Sequence, residues 1–174
     1  LDAGRILLDG CAVRFASPAE AIQAGIGMLH QDPLDVPPMT VLDNFLLGRE
    51  TGLMQKRALA RRELSELCQR FGFALDPDML TSSLTIGERQ QLELVRLLAQ
   101  GVRVIILDEP TTGISAPQKV LLFDTLRKLA AEGLSVVFVS HKLDEVEALC
   151  GRATVLRQGK VSGAVAAPFS SDQL

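Results

Sequence analysis

No stretch of the 174 residues is apolar for long enough to cross a bilayer, so any membrane link is expected to run through a partner. A basic excess is missing too: 18 Lys and Arg stand against 21 Asp and Glu, a formal net charge of -3. Nucleic-acid surfaces usually carry the opposite balance, so nucleic acid is not expected as a partner. Cysteine is sparse: Cys11, Cys68 and Cys150 are widely spaced, with no C-x-x-C pair. That pattern argues against a disulfide framework or a zinc module and suits small buried hydrophobes in a reducing compartment. His30 and His141 have no cysteine or second histidine near them in sequence, so no metal pair is expected.

What is present reads as one globular domain, 47% apolar and 22% charged, long enough to bury a core without disulfides or metals. The chain opens on Leu1, not Met, and its first dozen residues already carry an ordered pattern, which reads as a fragment cut upstream.

Residues Arg5 to Phe15 alternate around Asp9-Gly10, a hairpin signal. Ser17-Pro18-Ala19-Glu20 combines an N-cap, a first-turn proline and a capping-box glutamate, opening a short helix that Gly25 should stop. Ile26 to Gln31 reads as a buried strand ending in polar residues, followed by a proline-rich loop over 32–38. Thr40 caps a helix carrying Val41, Leu42, Phe45 and Leu46, with Asp43 at the capping-box position; an amphipathic helix follows from Gln55 to Phe71, broken at Asp76-Pro77-Asp78. Beyond residue 100 the period changes. Val102 to Leu107 and Ser135 to Val139 read as buried strands, Leu121 to Ala131 as a helix between them, and Thr154 to Val165 as a hairpin around Gln158-Gly159. Strands alternating with helices predict a mostly parallel sheet, whose ligands gather at the carboxyl ends of the strands. Three such ends carry Gln31, Asp108-Glu109 and His141.

The chemistry follows from those ends. Asp108 can hold Mg²⁺, directly or through water, while Glu109, pointing the other way, can polarise a water. Phosphoryl transfer needs the two roles side by side, because the metal neutralises charge while the base orients the nucleophile. Taken alone, the pair is equally a strand ending in an acidic turn before Pro110. Leu84-Thr85-Ile86-Gly87-Glu88 opens a helix over Glu88 to Gln100, with Thr85 and Glu88 in capping-box spacing. Its free N–H groups can attract a phosphate, which Gly87 lets approach, or it is simply a well-capped helix. His141 can donate to a γ-phosphate or be structural, and Gln31 can be an ordinary loop residue.

In their order along the chain, these segments resemble the ATP-binding cassette family: Gln31; Leu84-Thr85-Ile86-Gly87-Glu88-Arg89-Gln90-Gln91; Leu107-Asp108-Glu109-Pro110-Thr111; Ser140-His141. The resemblance covers nearly the whole chain. It implies an α/β, P-loop NTPase-like fold: a mostly parallel sheet with helices, an antiparallel hairpin at the start and an inserted helical subdomain. On this reading, residues 1–174 form a single partial domain, with core parts at 1–39 and 101–174 and the helical subdomain with its signature at 40–100. It further implies ATP and Mg²⁺ as cofactors. Asp108 becomes the metal aspartate, Glu109 the catalytic carboxylate and His141 the switch histidine. Gln31 becomes a loop glutamine serving both catalysis and the metal, and Thr85, Gly87 and Glu88 the signature that reaches ATP on a partner cassette. A second cassette, membrane-spanning permease subunits and, indirectly, a solute-binding protein are the implied partners, at the cytoplasmic face of the inner membrane.

Two departures stand out. The signature usually reads Ser-Gly-Gly where this chain has Thr85-Ile86-Gly87, and Ser115 stands where the family usually carries an aspartate. Ser115, spaced to Gln118, also looks like an ordinary helix cap. A larger difference is an absence, since no G-x-x-x-x-G-K-[ST] occurs in the chain. Without that loop's N–H cradle and lysine, the expectation is an ATPase parent and a segment that by itself binds ATP poorly and hardly hydrolyses it. Without the strand and helix of that loop, one side of the sheet should be exposed. Gly25 to Gln31, Thr40 to Asn44, Leu47-Gly48-Arg49-Glu50, Ser140 to Leu143 and Val155 to Val161 resemble importers of simple sugars or nucleosides. The alternatives are a cassette acting on ribosomes or DNA, and a non-catalytic regulatory module.

Overall fold

The computed structural model describes residues 4–48 and 56–169. The expected helix start at Gln55, the Arg49-Glu50 pair and the last five residues lie outside that set.

Short strands β1 (Ile6–Leu8) and β2 (Cys11–Val13) pair antiparallel across a two-residue turn, with Leu8 opposite Cys11. Asp9 and Gly10 both take positive φ (52° and 79°), the combination that matches hairpin twist. Helix α1 (Pro18–Gln23) begins as expected: the Ser17 side chain accepts from the Glu20 N–H. The Glu20 carboxylate reaches back to the Ala16 N–H, one residue before the cap. Gly25, at φ 88°, lets the chain turn into β3 (Ile26–Leu29), which stops two residues short of the expected end.

Helix α2 (Val41–Leu46) is capped by Thr40, and α3 (Lys56–Phe71) follows. A 3₁₀ turn at Thr81–Ser83 leads into α4 (Ile86–Ala99), which starts two residues before the expected Glu88. Beyond it come β4 (Val104–Asp108), α5 (Ala116–Ala131), β5 (Ser135–Val139), α6 (Leu143–Leu149) and the hairpin β6 (Arg152–Arg157) with β7 (Lys160–Ala166). Helix α5 begins five residues before the expected Leu121. Its Ser115–Gln118 pair is a reciprocal capping box, and such a box starts a helix wherever the next turn can be solvated. Helix α6 had no counterpart in the sequence reading; at seven residues it is too short to show a period.

Strands β3, β4 and β5 form one parallel sheet in that order, with Leu29 opposite Leu107 and Leu107 opposite Phe138. One face is covered. Leu29, Ile105 and Leu107 are buried in a cluster continuous with Val41, Phe45 and Leu64 of the central helices and with Leu122, Leu126 and Leu129 of α5. The helical segment and the sheet therefore share a single core. Packing is tight where α4 crosses β3: a Cβ on Gly27 would lie 2.9 Å from Leu97 Cδ2 and 3.1 Å from Val102 Cγ1, so any side chain there would have to displace them. The opposite face is open, with Met28, Val137 and Val139 exposed.

Candidate functional site

All three strands run the same way, so their carboxyl ends share one edge of the sheet. Asp108 is the last residue of β4 and pairs with Val139, the last of β5. It is half-buried and has no ion-pair partner among the described residues. Glu109 then takes φ 49°, a left-handed conformation that costs a side-chain-bearing residue about 1 kcal/mol. Its N–H donates to the Val139 carbonyl at 2.9 Å, and its carbonyl accepts from Thr112, closing the turn. That turn aims the carboxylate at His141, whose Nδ1 lies 2.7 Å from Glu109 Oε1. His141 is 73% exposed, so its other ring nitrogen is open to solvent or a ligand.

Gln31 is exposed two residues beyond β3, on the same edge, with no hydrogen bond to Asp108 or Glu109 among the described residues. The structure thus joins Glu109 to His141, sets Asp108 beside them, and leaves Gln31 apart.

Thr85, Gly87 and Glu88 form a second group at the start of α4. Thr85 is the N-cap: its hydroxyl accepts from the Glu88 N–H, while both its own N–H and its hydroxyl donate to Glu88 Oε2, each at 2.7 Å. The free N–H groups at this helix start are therefore partly answered by the chain's own carboxylate. Gln118 Nε2 also donates to Thr85 Oγ1 at 3.0 Å, and a Cβ on Gly87 would meet that amide at 2.5 Å. Gln118 closes the capping box of α5, so one side chain ties the two helix starts together. Ile86 packs over Gly113, where a Cβ would lie 3.0 Å from Ile86 Cδ1. Sequence reading took Gln118 only as a cap partner; its contact with Thr85 spans 33 positions and leaves no local signal.

Two buried acidic groups were also missed. Glu145 of α6 is 2% exposed: Thr111 donates to its Oε2 at 2.7 Å and Lys119 to its Oε1 at 3.2 Å. Lys142 Nζ donates to Thr111 Oγ1 at 2.9 Å and lies 3.7 Å from the same carboxylate. The other group sits between α4 and the proline-rich loop. Burial pushes the Glu93 carboxyl up to about 7, with Asp35 adding to the rise and Arg96 and the Leu34 amide opposing it. Burial lowers the Arg96 guanidinium, against the pull of Glu93 and Asp35. Arg96 donates to the Leu34 carbonyl at 2.9 Å, and Arg89 lies 3.7 Å from a nearly buried Asp35.

No three His, Cys, Asp or Glu side chains converge to hold a metal among the described residues. A Mg²⁺ ion seldom needs them, since it keeps waters and phosphate oxygens and takes one or two carboxylates. The unpaired Asp108 at the sheet edge fits that mode. No helix among the described residues is long and apolar enough to span a membrane.

Comparison with known proteins sharpens this picture. The family model described as "ABC transporter" matches residues 1–112. An arabinose import ATP-binding protein, AraG 2 of Burkholderia ambifaria, is 42% identical over 161 residues, covering 91% of this chain and 31% of that protein. A glucose import ATP-binding protein, TsgD13 of Haloferax volcanii, is 37% identical, covering 94% of this chain and 35% of its own length. The chain therefore spans about a third of the length of the curated relatives it matches. Among solved structures, a nucleotide-free ATP-binding cassette from an ABC transporter superposes with a TM-score of 0.82 at 21% identity, over 95% of this chain and 70% of that one. A second, the dimeric post-hydrolysis state of an ATP-binding cassette bound to ADP and Pi, gives 0.77 at 18% identity, over 94% and 73%. At those identities the structures speak for the fold alone. With the family model matching more than half of its residues, the chain belongs to the ABC transporter family.

Proposed function

We propose that these residues are part of the nucleotide-binding subunit of an importer, in which ATP hydrolysis drives uptake of a simple sugar. The observation that carries the reading is the Glu109–His141 contact of 2.7 Å beside an unpaired Asp108 at the carboxyl edge of a parallel sheet. Bound Mg-ATP would supply the scissile phosphoryl bond and a cation to offset its charge. Asp108, with Gln31, would hold that cation. Glu109 would orient and deprotonate the attacking water, with His141 keeping its carboxylate in place and presenting the free ring nitrogen to phosphate. Thr85, Gly87 and Glu88 would face ATP held by a second cassette.

The chain contains no G-x-x-x-x-G-K-[ST], so turnover on this reading needs a phosphate-binding loop from outside the 174 residues. Residues 1–39 and 101–174 would then be core parts and 40–100 the subdomain that passes movement on, through the loop after Gln31, to permease subunits at the cytoplasmic face of the membrane. The relatives named for arabinose and glucose import favour a sugar as the solute, with a nucleoside as the alternative. The test is Glu109→Gln in the full-length polypeptide that carries this segment. ATP binding should persist while turnover falls at least about a hundredfold, the scale of a lost general base; turnover within a few-fold of wild type would remove Glu109 from its role.

A further inference from the structure

Beyond the last ladder position, Asp108 opposite Val139, little in the sheet holds the chain after β4 against the chain after β5. One backbone bond remains, from the Glu109 N–H to Val139. His141 is too exposed to be placed by packing, so the 2.7 Å contact with Glu109 must be set from elsewhere. Farther along the two segments, Arg127 of α5 donates to the Ala148 carbonyl of α6 at 3.1 Å. Close to Glu109 and His141, one further set of side chains joins them among the described residues. Thr111, two positions past Glu109, and Lys142, directly after His141, meet each other at 2.9 Å and both meet Glu145. Lys119 brings α5 into the same group. A carboxylate removed from water keeps its charge only if donors replace the lost hydration, and here the Thr111 hydroxyl and the Lys119 ammonium do so, with the Lys142 charge 3.7 Å away. With both oxygens engaged, it cannot move without breaking contacts on three elements.

We propose that Glu145 is a positioning residue: through Thr111 and Lys142 its buried carboxylate fixes the distance between Glu109 and His141. The role rests on the ATPase reading for its consequence, but its geometry can be tested without turnover. These 174 residues hold two histidines, so His30 serves as an internal reference for His141 in an NMR spectrum, the imidazole signals of both being identified in the full-length polypeptide by His30→Gln and His141→Gln.

In the full-length polypeptide, Glu145→Ala should shift the His141 ring signals toward those seen in Glu109→Gln, leaving His30 unmoved. Glu145→Gln keeps an acceptor for the Thr111 hydroxyl and should retain most of the wild-type position. Where Glu145→Ala fails to fold, Thr111→Val removes the link while keeping the buried charge and should shift His141 the same way. Kinetically, kcat should fall about tenfold in Glu145→Ala with KM for ATP changed less than twofold, as expected when only alignment is lost. Unmoved His141 signals in folded Glu145→Ala or Thr111→Val protein would overturn the proposal, and so would equal shifts at His30 and His141. If His141 moves as expected but Glu109→Gln leaves turnover intact, the positioning stands and the catalytic reading falls.

Discussion

Two buried acidic clusters flank the carboxyl edge of the sheet, and they are built on opposite terms. Around Glu145 both carboxylate oxygens have donors, and all the partners lie on segments that leave β4 or β5. Around Glu93, four buried atoms have no hydrogen-bond partner: Asp35 Oδ2, Glu93 Oε2, Arg96 Nε and, on the same helix, Gln90 Nε2. Opposite charges are present in both places. Only the first has geometry that answers each polar atom, and in a low dielectric that decides whether a polar group stabilises or strains a fold. The satisfied cluster locks two strand ends together. The unsatisfied one joins α4 to the loop after Gln31.

That contrast can be broken experimentally. The largest effect should come from Glu145→Ala, which leaves Lys119 and Thr111 without their acceptor and Lys142 without its counter-charge. A loss of about 3 kcal/mol in unfolding free energy is expected, at the lower end for a broken buried pair because both lysines reach water. Chemical denaturation would measure it, and a loss below about 1 kcal/mol would mean the cluster is no better made than its counterpart.

Next in size is a dependence on pH. Glu93 has its carboxyl raised from 4.5 to about 7, so between those values the folded state binds more protons than the unfolded one. The stability linked to this group is then fully present below about 4.5 and lost as pH rises through about 7. A decline of about 2 kcal/mol is expected over that window, and Glu93→Gln should flatten it. Denaturation midpoints for both proteins from pH 5 to 8 would show this; parallel curves would mean that Glu93 is already well paired.

The smallest effect should come from Gln90→Leu. Gln90 is buried with its amide nitrogen unanswered, so an apolar residue of similar size should be neutral or stabilising by up to about 1 kcal/mol. A clear loss of stability would place an unseen partner beside that amide.

Much of this molecule could be read along the chain. Asp9-Gly10 and Gln158-Gly159 announced both hairpins, because a two-residue turn of this type requires positive φ and few residue pairs supply it. Ser17, Thr40, Thr85 and Ser115 announced helix starts, because a capping side chain acts within three residues. The apolar run alone placed the start of α5 at Leu121, whereas the cap signal at Ser115 marks its true start at Ala116. Asp108, Glu109 and His141 could be singled out because strand ends are visible in a sequence and parallel strands bring those ends to one edge.

Local pattern, then, determined the elements, their caps and turns, and which residues would reach the edge. Tertiary structure alone decided which of them touch. Glu109 meets His141 across 32 positions, Thr111 meets Glu145 across 34, and Arg96 meets the Leu34 carbonyl across 62. Periodicity and capping act over about four residues, so they carry no information on such pairs. The pairs form because β4 and β5 align in register and α4 packs against the bare backbone of Gly27, and burial then forces each carboxylate to find a donor or remain strained.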